Sequence, residues 1–430
     1  MRASPTFAPG PLRGELTVPG DKSISHRALI AAAACCRERV HISNLNPGRD
    51  VRATLEALIA LGVRIERDGD GLRVESSGLR ESPAALDCMN SGSTARMMLG
   101  ACAGANVPAR FDGDASLRRR PMEPVAAQLR AFGATIATAD GRMPVDLRGT
   151  PRIETRNFIL LSPSAQVKSA LLFAAVFAGV AVTIDGDGGS RDHTERLLEH
   201  LRADVQWDGR RVVLGATPLR PRSILVPGDF SSAAFFISAA AITPGSSIVA
   251  RDIGVNPTRT GLLDVLRHMG ANIELRNPKT RSGEPIADIA VEYAPLHATS
   301  IGPELALRAI DEIPLLAVAA ACAPGITRIA GVRDLRTKES DRVAAIERLL
   351  DAVGVVVQTD ANALTIAGGA PASRGRTVET CDDHRVAMAA AVIACVAGPI
   401  AIDSDASIDV SFPAFVRTLE GVRKNSSEGR

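Results

Sequence analysis

Six times along the chain a short polar cluster is followed by a run of small apolar residues that lacks a polar face. The segments are DKSISHRALIAAAA (21–34), NSGSTARMMLGACAG (90–104), SAQVKSALLFAAVFAG (164–179), DFSSAAFFISAAAITPG (229–245), DEIPLLAVAAACAPG (311–325) and DDHRVAMAAAVIACVAG (382–398). Apolar residues on every side predict helices buried all round, unlike the striped helices of a protein surface. Asp, Asn or Ser opens each run, as a helix cap does, and most runs close at or near Gly.

A strand-like stretch stands behind each run, such as VTIDG (182–186), SIVARDIG (247–254) or ITRIAGVRDL (326–335). A more polar helical pattern follows, as in TRTGLLDVLRHMG (258–270) and TKESDRVAAIERLLDAVG (337–354). A hairpin comes next: Asp68-Gly69-Asp70-Gly71, between VRIER and LRVES, reads as its turn. The unit is therefore βαβαββ, and six copies predict an α/β protein. Three buried parallel helices wrapped by sheets make one domain, and 430 residues suit two such domains.

Composition narrows the function classes. The 50 basic and 48 acidic side chains nearly cancel, and aromatics are 3% of the chain. That is neither the basic stripe nor the stacking platform of a nucleic-acid binder. The apolar runs 170–184 and 386–402 fall short of the roughly 18 residues of a membrane span. The stretch Met1 to Gly14 has no apolar core of a signal peptide, and seven cysteines without a C-x-x-C suit a reduced cytoplasmic protein.

The candidate chemistry lies at the helix starts, where unpaired N–H groups and the macrodipole favour anions. Lys22, Arg27, Arg96, Lys168, His384 and Arg385 sit there, with Arg118-Arg119-Arg120, Lys338 and Arg342 close by. Such cations suit a small substrate with several phosphate or carboxylate groups. The fourth run, GDFSS, brings no cation. Asp311, Glu312, Glu339, Asp382 and Asp383 all read as helix caps, yet Asp311 among cations is also poised as a base, with Lys338-Glu339 as an adjacent acid/base pair. IDGDGGSRDHTE (184–195) departs from a calcium loop, His193 and His200 lack further ligand spacing, and no G-x-x-x-x-G-K-[ST] loop occurs, so the expectation is chemistry without metal or nucleotide.

Nine motifs, in order from about Gly14 to Phe415, carry a resemblance. VPGDKSISHR, DGDASLRRRPM, SPSAQVKSALL, SRDHTER, GDFSSAAFF, NPTRTGLLDVL, IDEIPLL, RTKESDR and DDHRVAM together resemble the 5-enolpyruvylshikimate-3-phosphate synthase family. The resemblance implies two inside-out α/β domains, residues 1–19 plus 228–430 and residues 20–227, with the active site in the cleft between them. It implies transfer of the enolpyruvyl group of phosphoenolpyruvate to the 5-hydroxyl of 3-phosphoshikimate, with loss of phosphate, no cofactor and a monomeric protein without nucleic-acid or membrane partners. By motif, Lys22, Ser23, Arg27, Ser164, Ala165, Gln166, Arg191, Asp311 and Lys338 are expected to bind phosphoshikimate. Lys22, Gly92, Arg120, Gln166, Arg342, His384 and Arg385 are expected around phosphoenolpyruvate. Asp311, Glu339, Lys338 and Lys22 carry the expected catalytic roles.

Some positions depart from the family pattern. Met89 stands where Gly is usual, Ser93 replaces Thr, Val410 replaces a Lys of some members, and His193 replaces a Tyr of some. The alternatives are an enolpyruvyl transferase for another shikimate-like acceptor or for a UDP-sugar, or a non-catalytic anion-binding homologue. The UDP-sugar enzymes carry a reactive Cys in a loop that here reads Ser116–Pro121, without one.

Overall fold

The computed structural model describes residues 5–149 and 153–424. The outermost residues of the first expected domain, 1–4 and 425–430, lie outside the described residues. The chain divides into two compact units. The terminal unit holds Met1–Pro19, Gly228–Lys279 and Pro285–Arg430, and the central unit holds Gly20–Pro227 with the short strip Thr280–Glu284.

In the central unit the three apolar runs form helices α1 (Lys22–Ala34), α2 (Gly92–Gly104) and α3 (Ala165–Ala178). In the terminal unit they form α4 (Phe230–Ile242), α5 (Ile313–Cys322) and α6 (His384–Ala397). Each trio is the spine of one hydrophobic core, and every residue of α4 and α5 except Cys322 is buried. Small side chains permit close approach. Gly100 and Gly104 of α2 lie against the carbonyls of Ala170 and Ala174 on α3, where an added Cβ would stand 2.1 and 2.2 Å from oxygen. The register advances by four residues on both helices, so they run parallel.

Each unit surrounds its helices with sheets of one design. Arg156–Ile159 pairs parallel with Val182–Asp185, which pairs antiparallel with Arg211–Leu214, and Val205–Trp207 closes the edge. Arg64–Asp68 and Gly71–Glu75 form the hairpin of the first copy, with Asp68 facing Gly71, so the two-residue turn is Gly69-Asp70. In two copies the first strand comes from far away in the chain: Ile224–Leu225 joins Arg39–Ser43, and Arg13–Leu16 joins Ser247–Gly254. The sixth copy is abbreviated. Its strand Ile400–Ala401 pairs antiparallel with Thr6–Phe7, and the helix Phe415–Lys424 follows in place of a hairpin. Phe412 and Phe415 there pack edge-on to Phe236 and Phe235 of α4, which gathers four of the chain's few aromatics into one cluster.

The helix caps follow the sequence with shifts of one residue. Asp21, Ser91, Ser164, Asp229 and Asp383 accept hydrogen bonds from the first turns of their helices. The caps expected at Asn90 and Asp382 thus fall on Ser91 and Asp383. Glu312, not Asp311, holds the cap position of α5, and it makes no side-chain capping bond. The helix expected over 337–354 begins only at Arg342 under an Asp341 cap, which leaves Lys338 and Glu339 in the loop before it.

Candidate active site

In the central unit the starts of α1, α2 and α3 carry one constellation. Lys22, at the first position of α1, donates from Nζ to Asp50 Oδ2 at 2.8 Å. Arg27 is one turn further on and buried. Its Nε donates to Thr194 Oγ1 at 2.8 Å, and its terminal nitrogens to the Ser23 carbonyl at 2.8 Å and Ser169 Oγ at 2.9 Å. Burial, partly opposed by Glu195 and Asp21, pushes the Arg27 guanidinium down to about 10, so it stays charged at neutral pH. Arg191 is half-buried in the turn before the helix His193–His200, near enough to depress Arg27 further.

Ser164 caps α3, and Ala165 and Gln166 form its first turn. Gln166 bridges to α2: its Oε1 accepts from Arg96 at 2.8 Å and its Nε2 donates to Ser93 Oγ at 3.0 Å. Arg120 donates to the Asn90 carbonyl at 3.1 Å. A Cβ on Gly92 would lie 2.4 Å from an Arg96 nitrogen and 3.1 Å from an Arg120 nitrogen, so only glycine leaves both guanidinium groups where they stand. Gly92, Arg120 and Gln166 are thereby brought together, with Arg96 as a member outside the expected set.

Two sequence-level cation assignments are corrected. Lys168 is no anion ligand: it is completely buried, with Nζ 2.6 Å from Glu195 Oε1 and 2.9 Å from Asp187 Oδ2. Burial raises the Glu195 carboxyl above its ordinary range while Lys168 opposes the rise. Of the run Arg118–Arg120, Arg118 turns outward to pair with Asp112, Arg119 is exposed, and Arg120 alone faces the Gly92 turn.

The terminal unit carries the second constellation, centred on Asp311. Three guanidinium groups surround its carboxylate: Arg342 lies 3.6 Å from Oδ1, and Arg385 and Arg259 lie 3.6 and 3.7 Å from Oδ2. Arg385 also donates to the Asp311 carbonyl at 3.1 Å and lies 3.5 Å from Glu312 Oε1. Arg342 is buried; its Nε donates to Asp383 Oδ2 at 2.8 Å and a terminal nitrogen to Glu339 Oε2 at 2.6 Å. Burial disfavours its charge, yet Asp383, Glu339 and Asp311 outweigh that and hold its pKa above the ordinary value. Burial works against the Asp383 carboxylate as well, and Arg342 keeps it below the usual range. His384 is buried in the first turn of α6, and Lys338 is half-buried at the end of the 3-10 turn Arg333–Thr337.

Arg259 escaped the sequence reading, although it lies inside the NPTRTG motif. It is 3% exposed and donates to Ser231 Oγ at 2.7 Å, at the start of α4. The fourth helix start therefore has its cation after all, supplied from the turn ahead of the helix Gly261–His268. Lys22 and the three arginines around Asp311 have carboxylate partners, whereas Arg27, Arg96 and Arg120 donate to hydroxyl, carbonyl or amide oxygens. Among the described residues no group of three or more His, Cys, Asp or Glu side chains could hold a metal ion, and no helix is long and apolar enough to cross a membrane.

The chain is similar to known proteins along nearly its whole length. The family described as EPSP synthase (3-phosphoshikimate 1-carboxyvinyltransferase) matches residues 7–419. A 3-phosphoshikimate 1-carboxyvinyltransferase of Desulforudis audaxviator is 45% identical, over 96% of this chain and 97% of that protein. The solved structure of EPSP synthase from Acinetobacter baumannii matches with a TM-score of 0.85 at 36% identity, covering 97% of this chain and 98% of that one. The enolpyruvyl transferase NikO from Streptomyces tendae has a TM-score of 0.76 at 20% identity, over 97% of this chain and 96% of that one, a likeness of fold alone. The chain belongs to the EPSP synthase family.

Proposed function

We propose that this enzyme transfers the enolpyruvyl group of phosphoenolpyruvate to the 5-hydroxyl of 3-phosphoshikimate and releases phosphate, with the two constellations acting on one pair of substrates. The observation that carries the reading is the Asp311 carboxylate with guanidinium nitrogens of Arg342, Arg385 and Arg259 at 3.6, 3.6 and 3.7 Å.

The methylene carbon of phosphoenolpyruvate gains a proton, and the neighbouring carbon becomes cationic. The acceptor hydroxyl attacks that carbon and gives its proton to Asp311. The resulting tetrahedral adduct loses phosphate and a methyl proton to restore the double bond. Glu339 or Lys338, in the loop before the helix Arg342–Asp351, handles the methylene proton. Arg120, Arg342, Arg385 and Lys22 hold the carboxylate and phosphate of phosphoenolpyruvate and stabilise the departing charge. Gly92 and His384 complete that set, and Gln166 is shared by both substrates. Ser23, Arg27, Ser164, Ala165 and Arg191 complete the phosphoshikimate set. Arg27, with its donors already bound to Thr194, Ser23 and Ser169, supports that subsite from beneath.

The proposal includes a monomer in a reducing compartment, the cytoplasm, which suits seven cysteines that are all free; sedimentation tests the monomer. Phosphate release from phosphoenolpyruvate, measured with and without 3-phosphoshikimate, tests the activity. Release that depends on the acceptor is expected, and release with a UDP-sugar acceptor instead would overturn the reading. Asp311→Ala should abolish turnover while leaving phosphoshikimate binding measurable by calorimetry; undiminished turnover would remove Asp311 as the base.

A further inference from the structure

We propose that Arg259 is a positioning residue for Asp311, the group that keeps this carboxylate ionised and aimed while the other two arginines turn to the substrate. The inference rests on the reaction proposed above.

The groups facing Asp311 divide by what else they touch. Arg342, 3.6 Å from Oδ1, also binds Asp383 and Glu339. Arg385, 3.6 Å from Oδ2, also lies 3.5 Å from Glu312, the acidic neighbour at the start of α5. Both have been assigned to phosphoenolpyruvate, so the arriving anion draws their charge away from Asp311 at the moment a base is required. Arg259 has no such assignment. It is 3% exposed, and it reaches inward to Ser231 Oγ at 2.7 Å, Asp229 Oδ1 at 3.4 Å and Asp311 Oδ2 at 3.7 Å. Asp229 caps α4 and Ser231 lies in its first turn, so Arg259 ties Asp311 to a rigid helix start. The fork shape matters here, because different terminal nitrogens of one planar guanidinium face Ser231 and Asp311.

Ser231 has a second role in the same chain of contacts, since its hydroxyl donates to Glu312 Oε1 while it accepts from Arg259. The start of α4 is thereby coupled to both residues at the start of α5. Loss of Arg259 removes one of three positive charges from the base, so the ionised form is lost at a higher pH.

The test is the pH dependence of phosphate release by wild type, Arg259→Gln, Arg259→Lys and Ser231→Ala, with folding checked by circular dichroism. Arg259→Gln is expected to lower kcat about tenfold or more and to move the acid limb of the profile up by about one pH unit. KM for phosphoenolpyruvate should change less than about threefold, because the lost interaction does not belong to substrate binding. Arg259→Lys, which keeps the charge, should hold the acid limb near its wild-type place while kcat recovers in part. Ser231→Ala should move kcat and the limb in the same direction as Arg259→Gln, by less. Wild-type kcat and acid limb in folded Arg259→Gln overturn the proposal, as does a raised KM at constant kcat. Should Arg259→Gln fail to fold, an unaltered limb and kcat in both Ser231→Ala and Arg259→Lys overturn it as well. A wild-type protein that released no phosphate would instead overturn the reaction itself.

Discussion

Gly100→Ala is an informative perturbation, because the usual rule for glycine in a helix points the wrong way. In an exposed helix interior this change stabilises by about 1 kcal/mol through helix propensity. Here the new Cβ would stand 2.1 Å from the Ala170 carbonyl oxygen and 2.7 Å from its carbon, both backbone atoms of a buried helix. Ordinary C···O contact is about 3.3 Å, so α2 and α3 must part by roughly 1 Å. Overpacking of this kind costs about 1–3 kcal/mol, and the contact at Gly104 with Ala174 opens with it. Two contacts open together, so the upper end of that range applies, and subtracting the propensity gain of about 1 kcal/mol leaves a net loss of about 2 kcal/mol. Gly421→Ala is the control, since Gly421 lies exposed on the helix Phe415–Lys424, where an added Cβ would meet nothing within 4 Å. Urea denaturation followed by circular dichroism should lower the midpoint for Gly100→Ala and leave it equal or higher for Gly421→Ala. An unchanged or raised midpoint for Gly100→Ala would refute the close-packing argument.

Three further outcomes concern the anion site and the buried charges beneath it. Arg120→Ala should raise KM for phosphoenolpyruvate at least tenfold, by roughly the worth of a charge-assisted contact, while Arg118→Ala, which removes an exposed pair with Asp112, should leave kinetics near wild type. Lys168→Met should destabilise by about 3–5 kcal/mol by leaving Asp187 and Glu195 buried without their cation, seen as a lowered melting temperature. His26 is held well below its ordinary value of 6.5 by burial and by Lys22 and Arg27, so it stays neutral when folded. The unfolded chain takes up a proton there as pH falls below about 6.5, so stability is present above that value and lost below it. His26→Gln should flatten the fall in denaturation midpoint as pH drops below about 6.5; identical slopes in both proteins would refute it.

The buried helices were readable because apolar residues on all sides of a 3.6-residue period leave few other structures. Their exact starts were less so: Asn90-Ser91, Asp311-Glu312 and Asp382-Asp383 each offer two adjacent cap candidates, and tertiary contacts choose between them. Motif order placed Lys22, Gln166, Asp311 and Arg385 among the candidates, since each lies at or beside a helix start. What pairs with them was hidden. Asp50 for Lys22, Glu195 for Lys168 and Arg259 for Asp311 are joined by packing between distant segments, for which local spacing carries no signal. The shortened sixth copy was concealed for the same reason, because its partner strand, Thr6–Phe7, lies at the other end of the chain.

Two strand pairings also dictate an order of events during synthesis. Arg13–Leu16 has its parallel partner in Ser247–Gly254, so an early segment leaves the ribosome with an unsatisfied edge and waits until most of the intervening chain has emerged. The first sheet of the central unit closes sooner, when Ile224–Leu225 joins Arg39–Ser43. At the crossings, Asp21 N donates to the Pro227 carbonyl and Asp229 N to the Pro19 carbonyl, both at 2.8 Å. Pro19 and Asp229 are thus neighbours, and a short splice between them would release the central segment as a separate chain and leave the flanking halves joined. The waiting strand would then meet its partner early, turning a delayed, long-range closure into a local one.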